Sequence, residues 1–413
     1  MKRYLVLLTF LIFSLTLPFV LEAKPIYDLD VPITVSFEKE VYNSEEEINA
    51  LIKIKNNEDQ PISGVILNIE LIEGVGPTES TLKGNLLRSF CSQEKVYLRQ
   101  FGEKQFNIKL SPLPKGEYFF RATLFSSNYY RIANGWDSFK VEGEENEYLK
   151  EVKIVQDSLK IEGGLESTYN WGIQEPGKGF TVTGLIENRG VEKKINLLLK
   201  IKGWHYCQDQ IFYQTEKEID LAAGDSTPFS FDLTTPQRPT AYAIEIEVAK
   251  DNQTISKGYA RIISQGISGR IVNVSLNNYK FKKGEEVKIE AWLVGAASGD
   301  RDVEGQLRVY LTDEKDNVFY DQTKNIFLPK EETIDDNFSF KAQRNLENFT
   351  LWAVLKDAKG NELSSLKEDY KIENFEKVIP KTKIITAILV ILAILAVIII
   401  AIWKLHLYLK KKQ

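Results

Sequence analysis

The densest group of chemically capable side chains in the sequence is the segment Trp204-His205-Tyr206-Cys207. Cysteine and histidine both bind zinc, but a zinc site needs three or four ligands and this segment offers two. The other histidine of the chain, His406, lies far along the sequence. The sequence contains neither the His-Glu-x-x-His pair of zinc enzymes nor the set of histidine partners that a serine or cysteine triad requires. We therefore expect these side chains to fill the end of a protein core, and we expect no catalytic residue, no metal and no cofactor.

One enzymatic chemistry remains open from composition alone. The chain has 58 acidic residues, which offer many pairs of carboxylates of the kind that glycosidases use. The sequence does not give the separation of any such pair. We expect that the protein is not an enzyme, with a carboxylate-based hydrolase as the alternative.

The only two cysteines, Cys91 and Cys207, are candidates for a disulfide bond. Thiols tend to pair in exported proteins. Residues 91–97 (CSQEKVY) align with residues 207–213 (CQDQIFY), which places the two cysteines at equivalent points of two repeats. In domains strung end to end, such points lie beyond the limit of about 7 Å between the Cα atoms of a disulfide. Three alternatives remain: a bond between them, with the two domains side by side or folded back; two free buried thiols; or a bond to another chain.

Two further kinds of site are visible in the sequence. A stretch from residue 126 to residue 137 combines aromatic, asparagine and arginine residues between two predicted strands, and loops on a rigid scaffold often carry binding residues. Its candidate binding residues are Tyr129, Tyr130, Arg131 and Trp136. The alternative is that most aromatic side chains belong to the core.

Four triplets fit the glycosylation acceptor pattern, all in the part that we expect nearest the membrane. Their asparagines are Asn252, Asn273, Asn337 and Asn348.

The elements that position these residues are predicted to be β-strands. Between residues 24 and 380, many short segments alternate apolar and polar residues and are bounded by turn-forming residues. No window of about a dozen residues in this range has helical periodicity. Residues 48–55 and 118–124 are examples. Such strands have one face on a core and one face in water. The sequence therefore predicts an all-β fold.

The strands recur as three copies of one unit. Residues 314–320 (EKDNVFY) match the two cysteine-containing segments, and a second register aligns opening strands at residues 42–48, 176–182 and 281–287. The spacing of about 110 residues is close to the length of one immunoglobulin-like sandwich. We predict three such sandwiches in a row. Their bounds are residues 24–146, 147–265 and 266–373.

Both ends of the chain have the pattern of membrane targeting. Residues 1–23 combine a basic start, an apolar run and a small residue at the end, which predicts a signal peptide; an uncleaved N-terminal anchor is the alternative. Residues 384–403 are apolar except for one threonine and are long enough to cross a lipid bilayer as a helix. A linker (374–383) precedes this helix and a basic tail (404–413) follows it, which places the tail in the cytoplasm and the ectodomain outside.

A resemblance adds to this interpretation. The opening strand with its Gly-Glu turn and the closing strand with the turn at residues 357–361 (DAKGN) resemble immunoglobulin-like and macroglobulin-like domains of prokaryotic surface proteins. Residues 184–190 (GLIENRG) are similar to adhesion-related domains of bacterial and archaeal exported proteins. The resemblance implies architecture and no single activity.

We therefore expect a membrane-anchored surface protein for structural or adhesive interaction, whose first domain is furthest from the membrane. Its partner would be an extracellular protein or glycan. A net charge of -5 gives no reason to expect nucleic-acid binding. The alternatives are a carbohydrate-binding or enzyme-accessory ectodomain, and an accessory subunit of a membrane complex.

Overall fold

The computed structural model describes residues 29–371, except 59–60, 75–84, 93–94, 144–151, 168–170, 191–193, 204, 206, 251–252 and 296–300. Within these ranges the chain forms β-strands and no helix, so no helix there could cross a membrane. The all-β prediction is confirmed. The predicted signal peptide, linker, membrane helix and basic tail lie outside the described residues.

The first nine strands form a sandwich of two sheets. One sheet has the order β1-β3-β7, and the other has the order β2-β9-β8-β4-β5 with β6 paired to β4. The strands are β1 (Ile33–Phe37), β2 (Val41–Asn43), β3 (Ile48–Lys55), β4 (Ile62–Glu73), β5 (Asn85–Cys91), β6 (Val96–Leu98), β7 (Glu103–Leu110), β8 (Gly116–Phe125) and β9 (Arg131–Glu142). In β3 the side chains alternate between buried and exposed or half-buried positions, as a strand with one face on a core requires.

The second sandwich packs the sheet β10-β13-β16 against the sheet β11-β12-β18-β17-β14-β15. Its strands are β10 (Val152–Glu162), β11 (Glu166–Ser167), β12 (Trp171–Gln174), β13 (Gly179–Asn188), β14 (Lys194–Lys202), β15 (Ile211–Asp220), β16 (Ser226–Thr234), β17 (Thr240–Lys250) and β18 (Gln253–Ser264).

The third sandwich packs the sheet β19-β20-β23 against the sheet β22-β21-β24-β25. Its strands are β19 (Gly269–Leu276), β20 (Glu286–Gly295), β21 (Val303–Thr312), β22 (Val318–Leu328), β23 (Thr333–Lys341), β24 (Phe349–Asp357) and β25 (Glu362–Tyr370). All three sandwiches share one arrangement, in which a three-stranded sheet faces a larger sheet and each sandwich has its own apolar core. This is the immunoglobulin-like arrangement.

The first repeat alignment, which superposes residues 91–97, 207–213 and 314–320, is wrong in the first domain. Cys91 ends β5, where it pairs with Asn68 of β4. Residues 207–213 and 314–320 instead begin in the turns that join β14 to β15 and β21 to β22. Cys91 and Cys207 are therefore not at equivalent points of the two domains.

The second repeat alignment, which superposes the opening strands at residues 42–48, 176–182 and 281–287, needs a shift of two residues in the second domain. Gly177 and Gly284 are the equivalent turn residues, with φ of 75° and 91°, and their backbone N–H groups donate to the carbonyl oxygens of Thr235 and Ala342. The alignment of residues 176–182 with residues 281–287 places Gly179 over Gly284 instead. A shift of two residues keeps every side chain on the same face of the strand, so the apolar alternation fits both registers.

The three domains do not lie in a row. The first domain contacts the second through an ion pair of Glu73 with Lys153. It also contacts the third domain, where the hydroxyl of Ser126 donates to the carbonyl oxygen of Val272 at 3.3 Å. The predicted linear arrangement is wrong because the first domain packs against both of the others.

Candidate interaction sites

The disulfide bond joins the first two domains. Cys91 and Cys207 are bonded, with their Cα atoms 5.6 Å apart. The sequence left this bond open on the condition that the domains pack side by side or fold back. The structure meets the condition because β5, the edge strand that ends in Cys91, packs against β10 and β18 of the second domain.

The predicted binding loop belongs largely to the junction between domains. The ring of Tyr129 stacks on His205 with centroids 5.1 Å apart, and Tyr130 packs beside the buried Val272 and Trp292 of the third domain. Burial raises the pKa of Tyr129 to about 12, so its hydroxyl stays protonated. The predicted exposed position of these two tyrosines is therefore corrected. Arg131 and Trp136, which follow in β9, are exposed.

His205 fills the contact between the first two domains. It is 5% exposed, and its ring lies 4.5 Å from the ring of Phe125. Its Nδ1 accepts a hydrogen bond from the backbone N–H of Cys207 at 3.1 Å. Burial lowers the pKa of His205 to about 3, and the positive charges of Arg261 and Arg270 contribute in the same direction. The imidazole is therefore neutral at physiological pH and has a packing role. Among the described residues no group of three or more histidine, cysteine and acidic side chains could hold a metal ion.

A buried carboxylate marks the contact between the first and third domains. Glu368 is 2% exposed, and its carboxylate lies 3.8 Å from the ammonium group of Lys95. Burial raises the pKa of Glu368, while Lys95 opposes this effect. Tyr97 of the first domain packs against the core of the third. Gly64 faces the same carboxylate with a φ of 49°.

Replacing Gly64 with alanine should weaken this contact. The added Cβ would lie 2.6 Å from Oε2 of Glu368, and the positive φ alone costs about 1–2 kcal/mol for a residue with a side chain. Gly224→Ala is the matched control, because Gly224 has a φ of 72° and its added Cβ would meet no atom within 4 Å. We expect the Gly64 variant to unfold at lower denaturant concentration than the control; equal midpoints would contradict the role of the Glu368 contact.

The glycosylation triplets differ in accessibility. Asn337 and Asn348 are exposed, and the side-chain amide of Asn348 donates to Glu314 at 2.8 Å. Asn273 is half-buried and lines a small cavity between the first and third domains. Asn252 lies outside the described residues. Attachment of a glycan at Asn273 would therefore compete with the contact between these domains.

The largest exposed aromatic side chain among the described residues belongs to Trp136, which is 59% exposed. It lies beside a groove of about 700 Å³ along β8 and β9, and its ring contacts that of Phe119 at 5.0 Å between centroids. Glu40, Glu117 and Asp137 supply carboxylates to the groove. Of these groove residues the sequence singled out Trp136 alone, because the other four come from β8, β9 and the turn before β2, and no local pattern unites them.

Several solved structures resemble the chain, each at low overall similarity. Neither a protein-family model nor a curated protein sequence matches the chain. A CARDB domain from Pyrococcus furiosus, crystallised in complex with di-metal ions, is 13% identical with a TM-score of 0.21, and the match covers 29% of this chain and 95% of that domain. Alpha-2-macroglobulin of E. coli is 11% identical with a TM-score of 0.20, covering 83% of this chain and 23% of that protein. A tetra-tandem repeat from the extending region of a large adhesion protein is 12% identical with a TM-score of 0.19. That match covers 83% of this chain and 75% of the repeat protein.

Similarity at this level says nothing about ligands or activity. The strand order of the three sandwiches carries the assignment of fold. The predicted resemblance to tandem immunoglobulin-like domains is confirmed at that level.

Proposed function

We propose that the protein is a single-pass, membrane-anchored surface protein that presents three β-sandwiches for structural or adhesive interaction. The N-terminal and C-terminal sequence patterns support the anchoring and the outward orientation of the ectodomain. The proposal includes no catalytic activity. The observation that carries it is the exposed Trp136 beside its groove, because large exposed aromatic side chains are the commonest anchors of protein interfaces.

The groove has the composition of a contact site with both apolar and polar character. Phe119 is buried beneath Trp136, so the indole ring is held against a rigid part of the sheet. A rigid aromatic side chain loses little conformational entropy on binding. The carboxylates at the rim would orient a partner with basic or hydroxyl groups.

Replacing Trp136 with alanine should weaken partner binding at least thirtyfold, which corresponds to the 2 kcal/mol or more of a typical interface anchor. Crosslinking on intact cells followed by mass spectrometry would identify the partner and measure its capture. Trp171→Ala is the control, because Trp171 is also exposed but lies in the second domain. Equal capture by the two variants would exclude the groove as the contact site.

Carbohydrate binding is the second candidate function. It is favoured by the same indole ring, since sugars stack on exposed aromatic rings and their hydroxyl groups bond to carboxylates such as Glu117 and Asp137. Soluble oligosaccharides would then compete with the crosslinked partner, whereas a protein partner would be unaffected. Co-purification of other membrane proteins from detergent would instead favour an accessory subunit of a complex.

A further inference from the structure

The strand β15 is an edge strand with an unusual start. It is the last strand of its sheet, and among the described residues no strand pairs with its outer edge. Its first three residues, Ile211, Phe212 and Tyr213, are 45%, 39% and 45% exposed. Edge strands present unpaired backbone groups, and proteins usually protect them with charges. The start of β15 has three large apolar side chains and no charge.

The third domain contains a similar triplet in the same place, with valine instead of isoleucine. Val318, Phe319 and Tyr320 begin β22, which is also the last strand of its sheet. Each strand pairs with the strand before it through a bulge at the phenylalanine. The paired residues are Ile201 with Tyr213 and Lys202 with Ile211 in the second domain, and Leu311 with Tyr320 and Thr312 with Val318 in the third. The two triplets are therefore equivalent residue by residue.

In the third domain the aromatic residues of the triplet are covered. Tyr320 stacks on Phe340 with centroids 4.2 Å apart. The guanidinium group of Arg344 lies 5.1 Å from the ring centroid of Phe319. An aromatic ring and an arginine thus cover this triplet within the domain.

The second domain lacks both covering residues. The turn hydrogen bonds of Gly177 and Gly284 fix the correspondence, which places Leu233 where the third domain has Phe340 and Gln237 where it has Arg344. Leu233 is buried in its own core. The ring of Phe212 meets that of Tyr242 edge-on at 5.1 Å between centroids. The triplet of β15 otherwise stays exposed, because the residues that cover its counterpart are absent from the equivalent positions.

The rest of β15 is acidic on one face. Glu216, Glu218 and Asp220 occupy alternate positions, so their side chains lie on the same side of the sheet. Lys194 pairs with Glu218 at 2.7 Å and with Asp220 at 3.6 Å. One lysine shared between two carboxylates leaves this face with net negative charge.

We infer that the outer edge of β15 binds an extended peptide segment of another protein, which adds as an antiparallel strand. Strand addition satisfies the unpaired backbone groups, and alternate side chains supply specificity. Basic side chains at the start of the segment lie opposite the acidic half of β15. An aromatic side chain at its end lies opposite Ile211, which the bulge places on the same face as the acidic residues because it pairs with Lys202. This site is separate from the Trp136 groove, which lies in the first domain.

A synthetic peptide tests the inference. The probe has the ten-residue length of β15, with lysines at alternate positions in its first half and phenylalanines at alternate positions in its second half. Fluorescence anisotropy measures its binding to the full-length protein in detergent. Ile211→Lys should weaken binding at least tenfold, because it places a positive charge where the aromatic residues dock. Val318→Lys is the control at the equivalent, similarly exposed position, and should change binding less than twofold.

Four outcomes would overturn the inference. The wild-type protein could fail to bind the probe, or the two lysine variants could lose binding equally. A peptide of the same composition with its lysines and phenylalanines in scrambled order could bind as tightly, which would show attraction by charge without a defined strand. Sedimentation of the protein alone tests whether a second copy of the chain binds the edge. A dimer that Ile211→Lys abolishes would assign the edge to that second copy and not to a peptide of another protein.

Discussion

Replacing Cys91 and Cys207 with serine should lower the free energy of unfolding by about 5 kcal/mol, because the bond closes a loop of 116 residues. The bond restricts the unfolded chain, and the entropy lost by that restriction grows with loop length. It also holds β5 against the second domain. We therefore expect both an earlier transition in denaturant and a larger radius of gyration by small-angle X-ray scattering.

The controls separate the bond from the side chains. Each single serine variant should behave like the double variant, because one remaining cysteine cannot form the bond. The wild-type protein under reducing conditions should also match the double variant. Unchanged unfolding midpoint and radius of gyration in the double variant would contradict the role of the bond in holding the domains together.

Acidification should open the same junction through His205. Its pKa in the folded protein is about 3, below the ordinary value of 6.5, because the ring is buried between the first two domains. The unfolded chain takes up a proton below pH 6.5 and the folded chain does not. The stabilisation is therefore complete above about pH 6.5 and is lost as the pH falls toward 3, at about 1.4 kcal/mol per pH unit and on the order of 5 kcal/mol in total.

Denaturant unfolding of the wild-type protein and of His205→Gln between pH 7.5 and pH 4 would measure this effect. The glutamine cannot become charged, so its unfolding free energy should fall less steeply with acid than that of the wild type. His406→Gln should keep the wild-type dependence. Glu368 acts in the opposite sense at the other junction, because its raised pKa gives stability that is lost as the pH rises through that pKa. Parallel curves for the wild type and His205→Gln would refute the assignment.

Strand patterns were predictable to the extent that they are local. The alternation in residues 48–55 became β3, with Ile48, Ile52 and Ile54 fully buried. The register between repeats was less secure, since the opening strand of the second domain had to move by two residues. Alternation has a period of two, so a slip of two residues leaves the pattern unchanged. Hydrogen bonds between strands, which the sequence does not show, decide that register.

The candidate sites were predictable only in part. Trp136 was recognised as an aromatic residue in a predicted loop, although the structure places it within β9 beside a groove formed by residues from three strands. Tyr129 and Tyr130 have the same composition signal but lie in domain contacts. Residue type alone does not distinguish an exposed ring from one that another domain covers.

The sequence by itself determined that this protein consists of β-strands in three repeated sandwiches, because the burial of one strand face is encoded in residues two positions apart. Only the tertiary structure decided how the sandwiches pack. The contact of Cys91 with Cys207, of Tyr129 with His205 and of Gly64 with Glu368 each joins residues from different domains. Such contacts leave no periodic pattern in the chain, since they depend on the shapes of surfaces that exist only after each domain has folded.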